Sequence, residues 1–226
     1  MTPRPLTRAD VQEIDRRAAE EYGVSTLMLM ENAGAAVARR LLECRKLADS
    51  TSVLILCGPG NNGADGAVVA RHLDAAGVRV SVAWVGANAG NRGDSRIQRA
   101  ILDRSNVEQL AILDDLGDLF DRPIDWIVDG LFGTGLTRPI AGIHERVIDA
   151  ANDSGRPILA IDIPSGLDAD EGTILGTAIS AEETVTFVAP KRGFAAETAR
   201  GHLGRVTIAS IGAPGRLLRE FESRPH

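Results

Sequence analysis

SVLILCGPGNNGADG, residues 52–66, decides the fold. SVLILC (52–57) is an unbroken apolar run of strand length, the pattern of a parallel strand buried on both faces. Gly58, Gly60 and Gly63 then spell G-x-G-x-x-G, the fingerprint of a turn whose backbone N–H groups cradle a pyrophosphate and whose missing Cβ atoms allow close approach. A helix is expected from about Ala64 to Ala76, ended by Gly77. Strand, glycine turn and helix make the opening unit of a doubly wound sheet. One detail is unusual: a carboxylate, Asp65, stands at the mouth of a phosphate-type loop.

The rest of the chain repeats the alternation. VRVSVAWV (78–85) reads as the next strand and residues 93–104 as a helix. DWIVDG (125–130), a helix over 139–154, PILAIDIP (157–164), ETVTFVA (183–189) and VTIASI (206–211) follow. The expected architecture is α/β, a Rossmann-like three-layer α/β/α sandwich with a mostly parallel central sheet. Two helices precede it, at about 7–45. The first starts at Thr7, with Asp10 three residues on and Val11, Ile14, Ala18 and Tyr22 at helical spacing before Gly23. The second runs from about Thr26 to Cys44, and Gly34 inside it implies tight packing on a neighbour. With no repeat and no long linker, residues 1–226 are read as one domain.

Composition narrows the function. The net charge of −6 argues against binding nucleic acid by phosphate neutralisation. No apolar run is long enough to span a membrane, and MTPRPLTRAD lacks the core of a secretory signal, so a cytoplasmic location is expected. Two cysteines make no disulfide framework; Cys57, ending a buried strand, reads as apolar filler rather than a catalytic thiol.

Ligands of open α/β sheets bind beyond the carboxyl ends of the strands. That edge should receive three glycine-rich loops: GPGNNGADG, GLFGTGLTRP after Asp129, and IPSGLDADEG after Asp162. Lys191 follows the VTFVA strand. Asp65, Asp129, Asp162 and Lys191 are therefore expected to converge on one crevice, although each aspartate alone would serve as a cap or turn residue. Carboxylates beside a phosphate require an intervening positive charge. Asn62, Asp129 and the Ser165 hydroxyl or nearby carbonyls are hard oxygen ligands suited to an alkali or alkaline-earth cation.

Rival motifs fail on their own terms. A nicotinamide dehydrogenase needs an acid at the end of the second strand, and VSVAWVGANAG has none. The loop reads G-A-D where a P-loop reads G-K-[ST]. I-P-S-G lacks the first glycine of a nucleophile elbow. DADEG places its glycine one position early for a calcium loop and has Ile179 at position twelve. The four histidines, at 72, 144, 202 and 226, show no ligand spacing.

Five stretches, in order and spread over nearly the whole chain, resemble the NAD(P)H-hydrate epimerase family, also called the YjeF N-terminal domain family: YGVSTLMLMENAG (22–34), GPGNNGADG (58–66), VDGLFGTGL (128–136), IDIPSGLDADEG (161–172) and the strand leading to Lys191. The resemblance implies an isomerase that interconverts the R and S epimers of the damaged cofactors NADHX and NADPHX. It implies substrate contacts from Asn61, Asn62, Gly63, Ala64 and Asp65, from Gly133, Thr134, Gly135, Leu136, Thr137, Arg138 and Pro139 around the dinucleotide phosphates, and from Asp162. It also implies one potassium ion per subunit, held by Asn62, Asp129 and Ser165. Ala64 stands where many members have glycine. Asp162 is the expected acid/base group and Lys191 its assistant. A separate ADP- or ATP-dependent dehydratase would act next, and a homodimer is expected. A non-catalytic nucleotide-binding or protein-interaction module on the same fold is the alternative.

Overall fold

The computed structural model describes residues 3–44, 51–90 and 93–223. Residue 45, given to the second helix, and His226 lie outside them. Seven strands form one sheet in the order β3-β2-β1-β4-β5-β6-β7, and every pairing is parallel. The strands are β1 (Ser52–Cys57), β2 (Arg79–Val85), β3 (Glu108–Ile112), β4 (Trp126–Gly130), β5 (Ile158–Ile161), β6 (Glu183–Phe187) and β7 (Arg205–Ala209). "Mostly parallel" thus becomes wholly parallel among the described residues. β1, β4 and β5 are buried along their full length, which is why they read as unbroken apolar runs. The chain passes from β1 to β2 and β3 on one side, then returns to place β4 on the other side of β1. The β1/β4 junction is the topological switch point, where such sheets open a crevice.

Helices cover both faces. α3 (Asn61–Ala75) and α4 (Gly93–Leu102) lie in one layer and α5 (Ile143–Asp153) in the other, each over its own apolar cluster. Two short helices follow the last loops, α6 (Glu197–Leu203) and α7 (Gly215–Glu222), the former preceded by a 3-10 turn at Arg192–Ala195. Among the described residues no helix is long and apolar enough to cross a membrane.

The two preceding helices, α1 (Arg8–Tyr22) and α2 (Thr26–Cys44), are as expected. Thr7 caps α1: its Oγ1 accepts from the Asp10 N–H while the Asp10 carboxylate accepts from the Thr7 N–H. α2 packs on α3, and a Cβ on Gly34 would come 2.5 Å from Val68. That contact is the reason α2 tolerates a poor helix former at its centre. A separate cluster built from α1, α2, α7 and the segment after β6 docks this layer beside the sheet edge.

α3 begins at Asn61, not Ala64, so the N-N-x-x-D residues lie within its first two turns. Gly60 occupies the N-cap position without a side-chain bond, which leaves first-turn N–H groups free for a ligand. The glycines are demanded by contact. A Cβ on Gly58 would lie 1.8 Å from the Leu131 carbonyl oxygen, and one on Gly63 would lie 2.1 Å from the Gly58 oxygen. Backbone thus meets backbone where the loops after β1 and β4 touch. Gly58→Ala should cost about 1–3 kcal/mol or more, because neither backbone can yield locally. Urea unfolding reads this directly; a change below about 0.5 kcal/mol would mean the two loops do not touch.

Candidate functional site

A cavity of about 500 Å³ opens at the carboxyl edge of the sheet, within the usual size range of small-molecule sites. Its floor comes from the α3 N-terminus (Asn61, Asn62, Asp65) and from Asp162 and Lys191; one wall is the loop Leu131 to Arg138. The opposing helical layer adds Val11, Gln12, Ile14 and Asp15 of α1 and Thr26, Leu29, Met30 and Ala33 of α2. The cavity is therefore half apolar and half glycine-rich and charged.

Asp162 and Lys191 form its polar centre. Asp162 is the first residue beyond β5, where side chains reach the rim. It adopts a left-handed backbone at φ 66°, and Val188 beside it does the same at φ 67°. Two such non-glycine residues at one site cost roughly 1–3 kcal/mol each and persist only because their surroundings hold them. Asp162 Oδ1 lies 2.6 Å from Lys191 Nζ and accepts from the Phe187 N–H at 2.9 Å and from Thr186 Oγ1 at 3.3 Å. Lys191 Nζ also donates to Thr186 Oγ1 and to the carbonyls of Phe187 and Ala189. Its side chain is 1% exposed. Among the described residues nothing donates to Asp162 Oδ2, so one oxygen of an otherwise clamped carboxylate is left for a ligand.

Asp65 lines the cavity from the second turn of α3, past the capping position. Burial, then the negative charges of Asp162 and Asp15, hold its carboxyl well above the usual carboxylate range.

Asp129 is placed differently from expectation. It lies within β4 itself, is wholly buried, and does not line the cavity. Its carboxylate accepts from the Ser165 N–H at 2.8 Å, the Ser165 hydroxyl at 2.6 Å and the Leu131 N–H at 3.1 Å. Burial pushes this carboxyl up to about 6, and the three donors oppose the rise. The third carboxylate in the cavity is instead Asp15, which sequence reasoning missed. Ser165 and Asp129 are bonded to each other, and Asn62 lies against the segment that follows Asp129. The Ser165 hydroxyl also accepts from the Phe132 N–H at 2.8 Å, and Gly130 and Gly133 lie against the Asn62 backbone and side chain.

Of the expected contacts, Asn61, Asn62, Asp65, Asp162, Lys191 and Gly133 to Arg138 line the cavity, whereas Gly63, Ala64 and Pro139 do not. Gly63 and Ala64 are buried, Gly63 against Gly58 and Ala64 in a cluster with Met30 and Val68. Arg8 is a second residue the sequence did not flag. Its Nε and Nη2 donate to the carbonyls of Thr134 (2.6 Å) and Leu136 (2.9 Å), and Nη2 pairs with Asp168 at 2.8 Å. It ties α1 to the wall loop, a contact no local pattern encodes.

The family model for the YjeF-related protein N-terminus matches residues 26–193. The chain is 39% identical over 218 residues to an NAD(P)H-hydrate epimerase of Rhodopirellula baltica, covering 96% of this chain and 88% of that protein. It is 40% identical over 222 residues to an NAD(P)H-hydrate epimerase of Pirellula staleyi, covering 94% of each. A bifunctional NAD(P)H-hydrate repair enzyme of Thermofilum pendens is 40% identical over 222 residues, which are 94% of this chain and 41% of that protein. A yeast crystal structure superposes with a TM-score of 0.82 at 24% identity over 99% of this chain and 95% of that one, a likeness of fold.

Proposed function

Because the chain belongs to the YjeF-related N-terminus family, we propose that the rim cavity is where it carries out the activity of its curated relatives, NAD(P)H-hydrate epimerisation. The chain is an isomerase of nicotinamide cofactor repair. One observation carries the placement: a strained, ion-paired carboxylate, Asp162, with one oxygen unpartnered among the described residues, lines a cavity walled by two glycine-rich loops. The relatives are enzymes, and nothing in them favours a non-catalytic module.

The hydrated carbon carries a hydroxyl beside the ring nitrogen. Epimerisation breaks that C–O bond on one face and re-forms it on the other. A proton reaches the leaving oxygen, water departs, the nitrogen lone pair makes an iminium, and water returns to the opposite face with loss of a proton. Asp162 handles a proton at the hydroxyl, and its charge steadies the cation as it forms. Lys191 pairs with Asp162 at 2.6 Å and holds its carboxylate in place. First-turn N–H groups of α3 and the Gly133 to Arg138 loop bind the dinucleotide phosphates.

A potassium ion suits the donor set beside the α3 N-terminus. Asn62, Asp129 and Ser165 supply hard oxygen atoms and one negative charge. The Asn62 amide nitrogen is buried with no partner among the described residues, and a half-turn of the amide would exchange it for the oxygen a cation needs. Once bound, such an ion would supply positive charge that offsets the Asp129 carboxylate.

The chain as one domain, a homodimeric assembly, a cytoplasmic location and a downstream ADP- or ATP-dependent dehydratase complete the reading. The relatives named as bifunctional NAD(P)H-hydrate repair enzymes, in which a second activity shares the chain, support the last of these. In thermal shift, NADP should raise the melting temperature by mass action, through about 2.7 kcal/mol of added stability at a hundredfold excess over Kd. The rise should be larger in potassium than in tetramethylammonium chloride. No shift with millimolar NADP in either salt would overturn the reading.

A further inference from the structure

Two cavity carboxylates take no part in the steps above, Asp65, an expected substrate contact on the α3 N-terminus, and Asp15, for which no contact was expected. Asp15 lies midway along α1, in the helical layer rather than on the sheet edge. It faces the same space as Asp162, Asp65 and Lys191, and Arg138 is the remaining charged group of the wall. α2 brings only apolar side chains and Thr26 to that wall. Among the described residues nothing donates a hydrogen bond to the Asp15 carboxyl. It has no structural duty of the kind performed by Asp10, which caps the helix, or Asp168, which holds Arg8.

We propose that Asp15 is the second proton-handling residue of the epimerisation, serving the face of the hydrated ring turned toward α1 while Asp162 serves the face turned toward the sheet. This rests on the epimerase reading and deepens it. The chemistry asks for two groups, because the hydroxyl leaves one face and returns to the other. With the ring held in one orientation, a single carboxylate cannot protonate a leaving group on one side and deprotonate water on the other. In one direction Asp15 gives its proton to the departing hydroxyl, the C–O bond breaks and water is released. Ionised Asp162 takes the proton of the water that adds to the opposite face. In the other direction the roles exchange, and solvent returns the proton between turnovers. No oxidant or further reactant enters.

The electrostatics agree. Burial first, then the charge of Asp162, push the Asp15 carboxyl up to about 6, with Lys191 pulling the other way. A carboxyl at that level keeps a protonated fraction near neutrality, as an acid catalyst needs. Asp162 differs in being paired with the Lys191 ammonium at 2.6 Å. Two carboxyl groups set in different environments are thereby given different tasks.

Asp15→Asn tests this, with Asp15→Glu as companion. Loss of a group used in proton transfer predicts a turnover lower by about 10²-fold or more, partial recovery in the glutamate variant, and an NADP Kd within about threefold of wild type. The kcat/KM profile of the asparagine variant should lose the ionisation near 6. Because a folded pKa raised from its unfolded value costs stability above that pKa, Asp15→Asn should melt no lower than wild type at pH 7. Turnover within about twofold of wild type, an unaltered pH profile, or turnover and NADP binding falling together would each overturn the assignment. If wild-type protein fails to equilibrate the epimers, the epimerase reading itself falls; if wild type succeeds and the variant matches it, only Asp15 is dismissed.

Discussion

Asp162→Asn should lower epimerisation turnover by about 10²–10⁴-fold. The side chains are isosteric, so the Phe187 N–H still finds an oxygen at the Oδ1 position and the cavity keeps its shape. What vanishes is the ability to take or give a proton at the oxygen facing the ligand, together with the negative charge opposite a developing cation. Both effects act on the transition state, so kcat should fall far more than NADP affinity. Equal losses in the two would instead make Asp162 a binding residue. Its backbone at φ 66° supports the catalytic reading. A fold that sustains strain at the residue nearest the ligand, with Val188 beside it also strained, holds that side chain where relaxed geometry would not put it.

Lys191→Met carries the largest expected stability effect. Lys191 is 1% exposed and is satisfied by Asp162, Thr186 Oγ1 and two carbonyls. Removing the ammonium strands the Asp162 charge in a site of low polarity, and breaking such a pair typically costs about 3–5 kcal/mol. Urea unfolding should show a midpoint shift at unchanged slope. Adding Asp162→Asn to Lys191→Met should restore part of the loss, because the stranded charge is then gone. If the double variant is less stable than the sum of the singles, charge pairing is not what the lysine contributes.

The sheet was largely legible because parallel strands buried on both faces are apolar throughout, as in SVLILC and ILAI. β3 escaped notice for the converse reason: Glu108–Ile112 is an edge strand, mostly unburied, so its residues carry no continuous apolar signal. α6 and α7 are too short for periodicity to stand out. The glycine loops and the residues just beyond strand ends were readable, since local sequence dictates their position. Asp129 was misplaced because its distance from the strand end matters: it lies inside β4, paired with Leu56 and Ala160, while Asp162 lies one step past β5. Asp15 was invisible for another reason. Val11, Ile14 and Ala18 mark the buried stripe of α1, and Asp15 at its margin resembles any solvated helix residue until the helix is docked over the cavity.

The central claim is that this rim cavity interconverts two epimers. The most direct measurement follows the R-to-S ratio of NADPHX, enriched in one epimer, by chromatographic separation over time with purified wild-type protein. The account predicts equilibration far faster than in buffer, abolished by Asp162→Asn in protein that still binds NADP. A ratio drifting at the buffer rate, with folded and NADP-binding wild-type protein, would contradict it.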